Sequence, residues 1–249
     1  MDAAANDPYR YLPQLRERIA PPERSAMRVG PEQMRAWDER ARALGRGPDW
    51  RLSDEQLEAT RRVLLGPWLE GRDLWVYGYG SLMWDPGFHF AEVRLADLQG
   101  FCRRFAHRTF LGRGSPECPG LMLTLEPGPG CCTGLAFRLP GALVEQESAY
   151  LWRREMLRGI YRPGLHAVQT PQGPVSALVF AANPAHEDYL HGLPLDQAAA
   201  MIACAEGLIG TNRAYLEQLL WQLEHLGIAD AHLRELADCV RSLQPAAAP

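Results

Sequence analysis

Hydrophobic and polar positions follow two different rhythms along this chain, and the change between them divides it. Up to about residue 70 the apolar positions recur at three- and four-residue steps. Met34, Trp37, Ala41 and Leu44 make one such series, which predicts an amphipathic helix over 31–44 closed by Gly45. Ser53 and Gln56 have capping-box spacing and predict a second helix that stops at Gly66-Pro67. Before Met27, proline and charge dominate, and a loosely ordered arm is expected. From Leu74 onward the rhythm shortens. Leu74, Trp75, Val76 and Tyr77 are types that fit a pleated, buried surface and predict a strand. Strand character returns over 101–110, 121–125 and 133–139, then in a pair, 166–170 and 176–182, joined across a Pro-Gln-Gly-Pro turn. Helices are expected over 142–157, 195–205, 213–226 and 229–243, the third of these striped by Leu216, Leu219, Leu220, Leu223 and Leu226. Strands gathered in the centre with helices after them predict an α+β fold, with an antiparallel or mixed sheet able to curl into a barrel. The expected organisation is a helical N-terminal extension over 1–70 and a main domain over 71–249.

Composition narrows the function classes. Of 249 residues, 47% are hydrophobic and the net charge is −4, which gives no electrostatic case for binding nucleic acid. No apolar run reaches the length of a membrane span, and the first residues lack the charged-then-apolar order of a secretion signal, so no membrane partner and a cytoplasmic location are expected. The six cysteines are dispersed without a C-x-x-C pair and are expected as reduced thiols. The seven histidines form no H-E-x-x-H, and no metal is expected.

The first strand breaks abruptly at Gly78-Tyr79-Gly80-Ser81. Two glycines two apart permit positive φ and close backbone approach, and a turn at a strand end can aim several N–H groups at an anion or a polarised carbonyl. An ordinary strand-to-loop turn is the commoner use of the same pattern. A dinucleotide fingerprint needs a glycine where Met83 stands, and a nucleophile elbow around Ser81 needs glycines where Tyr79 and Met83 stand. Ser81 therefore reads as a ligand-holding hydroxyl, not an attacking one. Glu155 extends a stripe through Val144 and Leu151 and falls in the last turn of its helix. Burial and helix dipole would both raise its pKa, as a proton acceptor near neutral pH requires, while nearby arginines pull the other way. A surface ion pair with Arg158 is its other reading. Arg113, in a Gly/Pro-rich loop, has the planar fork to clamp a carboxylate, or is solvated. Tyr215 could aim its hydroxyl at a pocket, or pack in the core. Arg103 and Arg104 read as structural partners.

Taken in order, WVYGYGSLMW (75–84), RRF (103–105), GRG (112–114), Pro119-Gly120, LWRREML around Glu155 and N-x-x-Y-L (212–216) form a set that resembles the ChaC-like, glutathione-specific γ-glutamylcyclotransferases, in particular their bacterial members. The resemblance spans about residues 74–243. It implies a small β-barrel with flanking helices, and an intramolecular acyl transfer on glutathione that yields 5-oxoproline and cysteinylglycine. It also implies Glu155 as catalytic base and Tyr79, Gly80, Ser81 and Leu82 as the loop holding the γ-glutamyl group, with Arg113 and Tyr215 lining the pocket. Because cyclisation is already unimolecular, no protein nucleophile, cofactor or metal is required. A monomer or weak dimer acting on a small molecule is expected. Two alternatives remain: a cyclotransferase for other γ-glutamyl amines or amino acids, and a non-catalytic module that binds γ-glutamyl ligands.

Overall fold

The computed structural model describes residues 7–243. The chain forms two compact units, one from the described residues through Phe101 with Pro127–Ala181, the other from Cys102–Glu126 with those from Ala182 onward.

In the first unit α1 spans Pro31–Ala43 and α2 spans Asp54–Leu69. The Ser53–Gln56 capping box that opens α2 is present in both directions. The helix does not stop at Gly66-Pro67, as expected, but runs two residues further. Pro67 has no N–H for the helical bond to the Val63 carbonyl, and Val63 is 87% exposed, so the loss falls on the solvent side of the helix. Nor is the segment before Met27 a loose arm where it is described. Leu15 and Ile19 are buried, and Arg10 pairs with the buried Glu92. Just past the segment, Arg28 closes a two-pronged pair with the buried Glu147 (2.6 and 2.9 Å). The proline-rich backbone makes turns and two short 3₁₀ helices, Pro13–Leu15 and Pro22–Arg24, and its arginines pair both nearby, Arg16 with Asp7, and far along the chain, Arg10 with Glu92.

The centre of the fold is β1, Leu74–Gly78, with Leu74, Val76 and Tyr77 fully buried. The other main strands are β2 (Glu92–Thr109), β3 (Gly120–Leu139), β4 (Tyr161–Val168) and β5 (Val175–Ala182), and α3 spans Gly141–Glu155. They give a mixed five-stranded sheet in the order β2-β3-β1-β5-β4. β1 runs antiparallel to β3, with Gly78 opposite Leu135, and parallel to β5, with Val76 opposite Leu178. The α+β expectation is met and the barrel is not: the sheet is open, with β2 and β4 as its edges. Those edges share one isolated antiparallel bridge, Asp97 to Gln169. Pro163 within β4 has no N–H to extend a ladder there. The expected strands 121–125 and 133–139 are a single strand, β3, which carries the intervening Pro-Gly-Pro-Gly through without ending.

In the second unit α4 (Leu195–Cys204), α5 (Asn212–His225) and α6 (Ala231–Ser242) pack on one another, and β6 (Glu206–Gly207) and β7 (Gly210–Thr211) form a minimal hairpin. Leu216, Leu219 and Leu223 bury the stripe of α5. The expectation of reduced, scattered cysteines fails at one pair: Cys118 and Cys204, 86 residues apart, form a disulfide. The fold brings the loop before β3 to the end of α4, a proximity no sequence spacing encodes. Cys102 and Cys239 are free thiols. Among the described residues no helix is long and apolar enough to cross a membrane.

Candidate active site

β1 ends in a bend whose first residues, Gly78, Tyr79 and Gly80, are buried. The chain then closes a short 3₁₀ turn over Ser81–Met83, with Met83 N–H donating to Gly80 O (2.8 Å) and Asp85 N–H to Ser81 O (2.9 Å). The two glycines do not serve positive φ, since neither adopts it. Gly78 serves close approach: a Cβ there would lie 3.0 Å from Leu82 Cβ and 3.3 Å from Phe137 Cε2. The neighbouring strand makes the same concession at Gly134, whose Cβ would lie 2.4 Å from the Gly78 carbonyl oxygen. Tyr79 is buried and its hydroxyl donates to Phe180 O (2.8 Å), which ties the root of the loop to β5. Leu82 is buried beneath the turn, and Ser81 stays partly accessible.

α3 supplies the carboxylate. Val144 and Leu151 are buried along it, as their spacing predicts, and Glu155 is its last residue, with a side chain 13% exposed. Burial pushes the Glu155 carboxyl above its ordinary pKa, and the Arg154 guanidinium pulls it partly back. The end of a helix adds to the upward push, because its unsatisfied carbonyls disfavour negative charge.

Arg154 joins the two parts. Its side chain is 3% exposed, and Nε lies 3.0 Å from Glu155 Oε1. Nη2 donates to Ser81 Oγ (2.8 Å), while Nη1 donates to the carbonyls of Asp85 (2.5 Å) and Pro86 (3.2 Å). From sequence, Arg154 is no more than a charge opposing Glu155. Adjacent helical residues point about 100° apart, so spacing gives no sign that both reach one spot. With its side chain 13% exposed, Glu155 is not the surface carboxylate of the alternative reading.

In the second unit the loop carrying Arg113 is clasped by the β6–β7 hairpin, with Leu208 N–H donating to Leu111 O and Ile209 N–H to Gly112 O (both 2.9 Å). Arg113 Nη1 donates to Thr211 O (3.1 Å), and its guanidinium carbon lies 5.6 Å from the centre of the Tyr215 ring. Burial lowers the Arg113 pKa, with Tyr215 acting in the opposite direction. Tyr215 is buried and meets Phe105 edge-on at 5.6 Å. Arg103, read as structural, pairs with Asp230 at 3.6 Å. The candidate residues thus gather as two sets: Tyr79, Gly80, Ser81, Leu82 and Glu155 in the first unit, Arg113 and Tyr215 in the second. Among the described residues no group of three His, Cys, Asp or Glu side chains could hold a metal ion.

The family model described as ChaC-like protein matches residues 74–243. The glutathione-specific gamma-glutamylcyclotransferase of Escherichia coli K12 is 39% identical over 192 residues, which cover 77% of this chain and 83% of that protein. Glutathione-specific gamma-glutamylcyclotransferase 1 of Rattus norvegicus is 34% identical over 186 residues, 72% of this chain and 84% of the relative. Among solved structures, a yeast gamma-glutamyl cyclotransferase specific to glutathione superposes with a TM-score of 0.64 at 23% identity, covering 69% of this chain and 97% of its own, and supports the fold. With a family model matched across most of its length and relatives above 30% identity, the chain belongs to the ChaC-like family.

Proposed function

We propose that this chain is a glutathione-specific γ-glutamylcyclotransferase with Glu155 as its general base. The α-ammonium of the γ-glutamyl group gives a proton to Glu155, and the freed amine attacks the γ-carbonyl carbon of the same residue, closing a five-membered ring. The tetrahedral oxyanion collapses, the bond from that carbon to the cysteinyl nitrogen breaks, and the proton held by Glu155 passes to the departing nitrogen. The ring nitrogen, still carrying two hydrogens after its attack, gives up the second to become the lactam N–H, and that proton ends on the released amine, which leaves as an ammonium. The products are 5-oxoproline and cysteinylglycine. The protein has two tasks: to curl the γ-glutamyl chain so that its own nitrogen faces the carbonyl, and to carry protons from the attacking nitrogen to the departing one. Tyr79, Gly80, Ser81 and Leu82 are the proposed holding loop, with Arg113 and Tyr215 as further substrate-binding residues. Residues 71–249 are the proposed catalytic part, and residues 1–70 its extension, which lies almost entirely ahead of the matched family region.

One observation carries the reading. A single guanidinium lies 3.0 Å from Glu155 Oε1 and 2.8 Å from Ser81 Oγ, so the proton acceptor and the proposed holding loop share one place. The test is mass spectrometry of products after incubation with glutathione. Wild type releases 5-oxoproline, and Glu155→Gln, which keeps shape and loses basicity, slows release about 10²- to 10⁴-fold. Turnover by Glu155→Gln at the wild-type rate would overturn the assignment. γ-Glutamyl-alanine, run beside glutathione, separates a glutathione-specific enzyme from a general γ-glutamyl cyclotransferase.

A further inference from the structure

The Arg154 contacts have a chemical consequence for Ser81. A guanidinium has five donors and no acceptor, so Ser81 Oγ must accept from Nη2. The hydroxyl has one proton, and with its oxygen already engaged as acceptor that proton is left to donate elsewhere. We propose that Arg154 is a positioning residue of this site: it orients Ser81 as a hydrogen-bond donor toward the substrate and holds Glu155 and the loop from Ser81 to Pro86 in one frame. The groups such a donor fits are oxygens that carry or develop negative charge, and a γ-glutamyl substrate offers two, its α-carboxylate and its γ-carbonyl. The inference rests on the cyclotransferase reading and adds to it a residue and a direction of hydrogen bonding.

Arginine suits this task where lysine does not. Its planar fork reaches Ser81 Oγ from Nη2, the Asp85 and Pro86 carbonyls from Nη1 and Glu155 from Nε, all at once. An ammonium offers its donors from a single point. Other charged groups lie on the elements that make these contacts and on the helix beside them. On α3, Arg153 donates to Val29 O and lies over Tyr150, and Arg158 follows three residues after Glu155. On the loop, Asp85 brings a second carboxylate, with Oδ1 buried and without a hydrogen-bond partner. From α2, Arg61 is taken up by Glu58 and Glu145, near the start of α3.

The sign of the pH effect separates positioning from mere structural support. Glu155 must be ionised to accept a proton, so kcat/KM falls as pH drops through its pKa. Arg154 favours the ionised form, so its removal moves that acid limb to higher pH. A residue that only stabilised the fold would lower the rate at every pH without moving the limb. The experiment measures 5-oxoproline release from glutathione across pH for wild type, Arg154→Met, Arg154→Lys, Ser81→Ala and the Arg154→Met/Ser81→Ala double variant, with thermal melts beside each. Arg154→Met is expected to lose about 10- to 100-fold in kcat/KM at neutral pH, the scale of a charged hydrogen bond, with its acid limb displaced upward. Arg154→Lys keeps the limb near wild type yet stays slower, and Ser81→Ala costs little more once Arg154 is gone. A folded Arg154→Met with an unmoved limb, or losses that multiply in the double variant, would overturn the proposal. Should Arg154→Met fail to fold, wild-type kcat/KM in Arg154→Lys does the same. Absence of 5-oxoproline from wild type would instead remove the underlying function, an outcome visible before any variant is measured.

Discussion

Gly134 offers a measurement of how rigidly the sheet sets the loop. β3 passes β1 so closely that Gly134→Ala would put its methyl 2.4 Å from the Gly78 carbonyl oxygen, 3.0 Å from Tyr77 Oη and 3.1 Å from Tyr77 Cζ. Tyr77 cannot simply swing away, because it is buried and its hydroxyl donates to Cys132 O at 2.5 Å. Contacts of a Cβ below 3.0 Å are essentially never tolerated, so the strands must open by at least 0.6 Å at the end of β1. Overpacking of that kind costs about 1–3 kcal/mol. The larger effect is expected on activity. The carbonyl pushed aside belongs to the residue before Tyr79, and a misplacement of about 1 Å near reacting groups costs roughly 10²-fold. Gly134→Ala is therefore expected to lower kcat/KM about 10- to 100-fold for a modest fall in stability. Gly130→Ala is the matched control on the same strand, since its Cβ meets only Phe101 O at 3.8 Å. Urea unfolding and 5-oxoproline release are measured on both. If Gly134→Ala behaves like Gly130→Ala in the two assays, the close approach of β3 does not position the loop.

Two further outcomes follow from the second unit. Asn212 is fully buried and brackets Leu121, accepting from its N–H (2.6 Å) and donating to its carbonyl (2.8 Å), so Asn212→Ala leaves both groups unpaired and is expected to cost about 2–4 kcal/mol, read as a lower urea midpoint. The Cys118–Cys204 disulfide closes a long loop, for which chain entropy gives at most about 4–5 kcal/mol; reduction with a phosphine should lower the melting temperature, and a non-reducing peptide map that finds both thiols alkylated would remove the bond from the structure.

What could be read from the sequence was whatever depends on neighbours. The Ser53–Gln56 box needs two residues three apart, and it formed in full. The environment of Glu155 follows from a stripe and a helix end, both local, and its upward-shifted carboxyl agrees with that. What could not be read depends on partners distant in the chain. The segment before Met27 looks loose because its apolar residues and arginines find no local use, whereas Arg10 is completed by Glu92, 82 positions away. β3 was read as two strands because Pro-Gly-Pro-Gly is turn chemistry, but the strand continues through it. The open sheet shows the same limit. Strand propensity says that β2 and β4 are extended and says nothing about whether their edges meet in one bridge or a ladder.

Arg154 looks at first like the wrong neighbour for a proton acceptor, because it weakens the base that burial strengthens. The opposition has a physical use. Burial alone pushes a carboxylate toward its protonated form, and a protonated acid accepts nothing. A guanidinium 3.0 Å away acts against that rise and favours the ionised form. The same charge acts on the other partner in the proposed reaction. A substrate ammonium drawn to Glu155 must approach Arg154 as well, and a like charge at close range lowers the pKa of an amine. The proton to be moved is thus held less tightly by its donor just where an ionised acceptor is waiting. The cost of setting two cations side by side is offset by the Asp85 and Pro86 carbonyls and the Ser81 oxygen, which accept from the guanidinium and fix where its charge sits. Replacing Arg154 with an uncharged residue would therefore harm both ends of the proton transfer, even though it would leave Glu155 the stronger base.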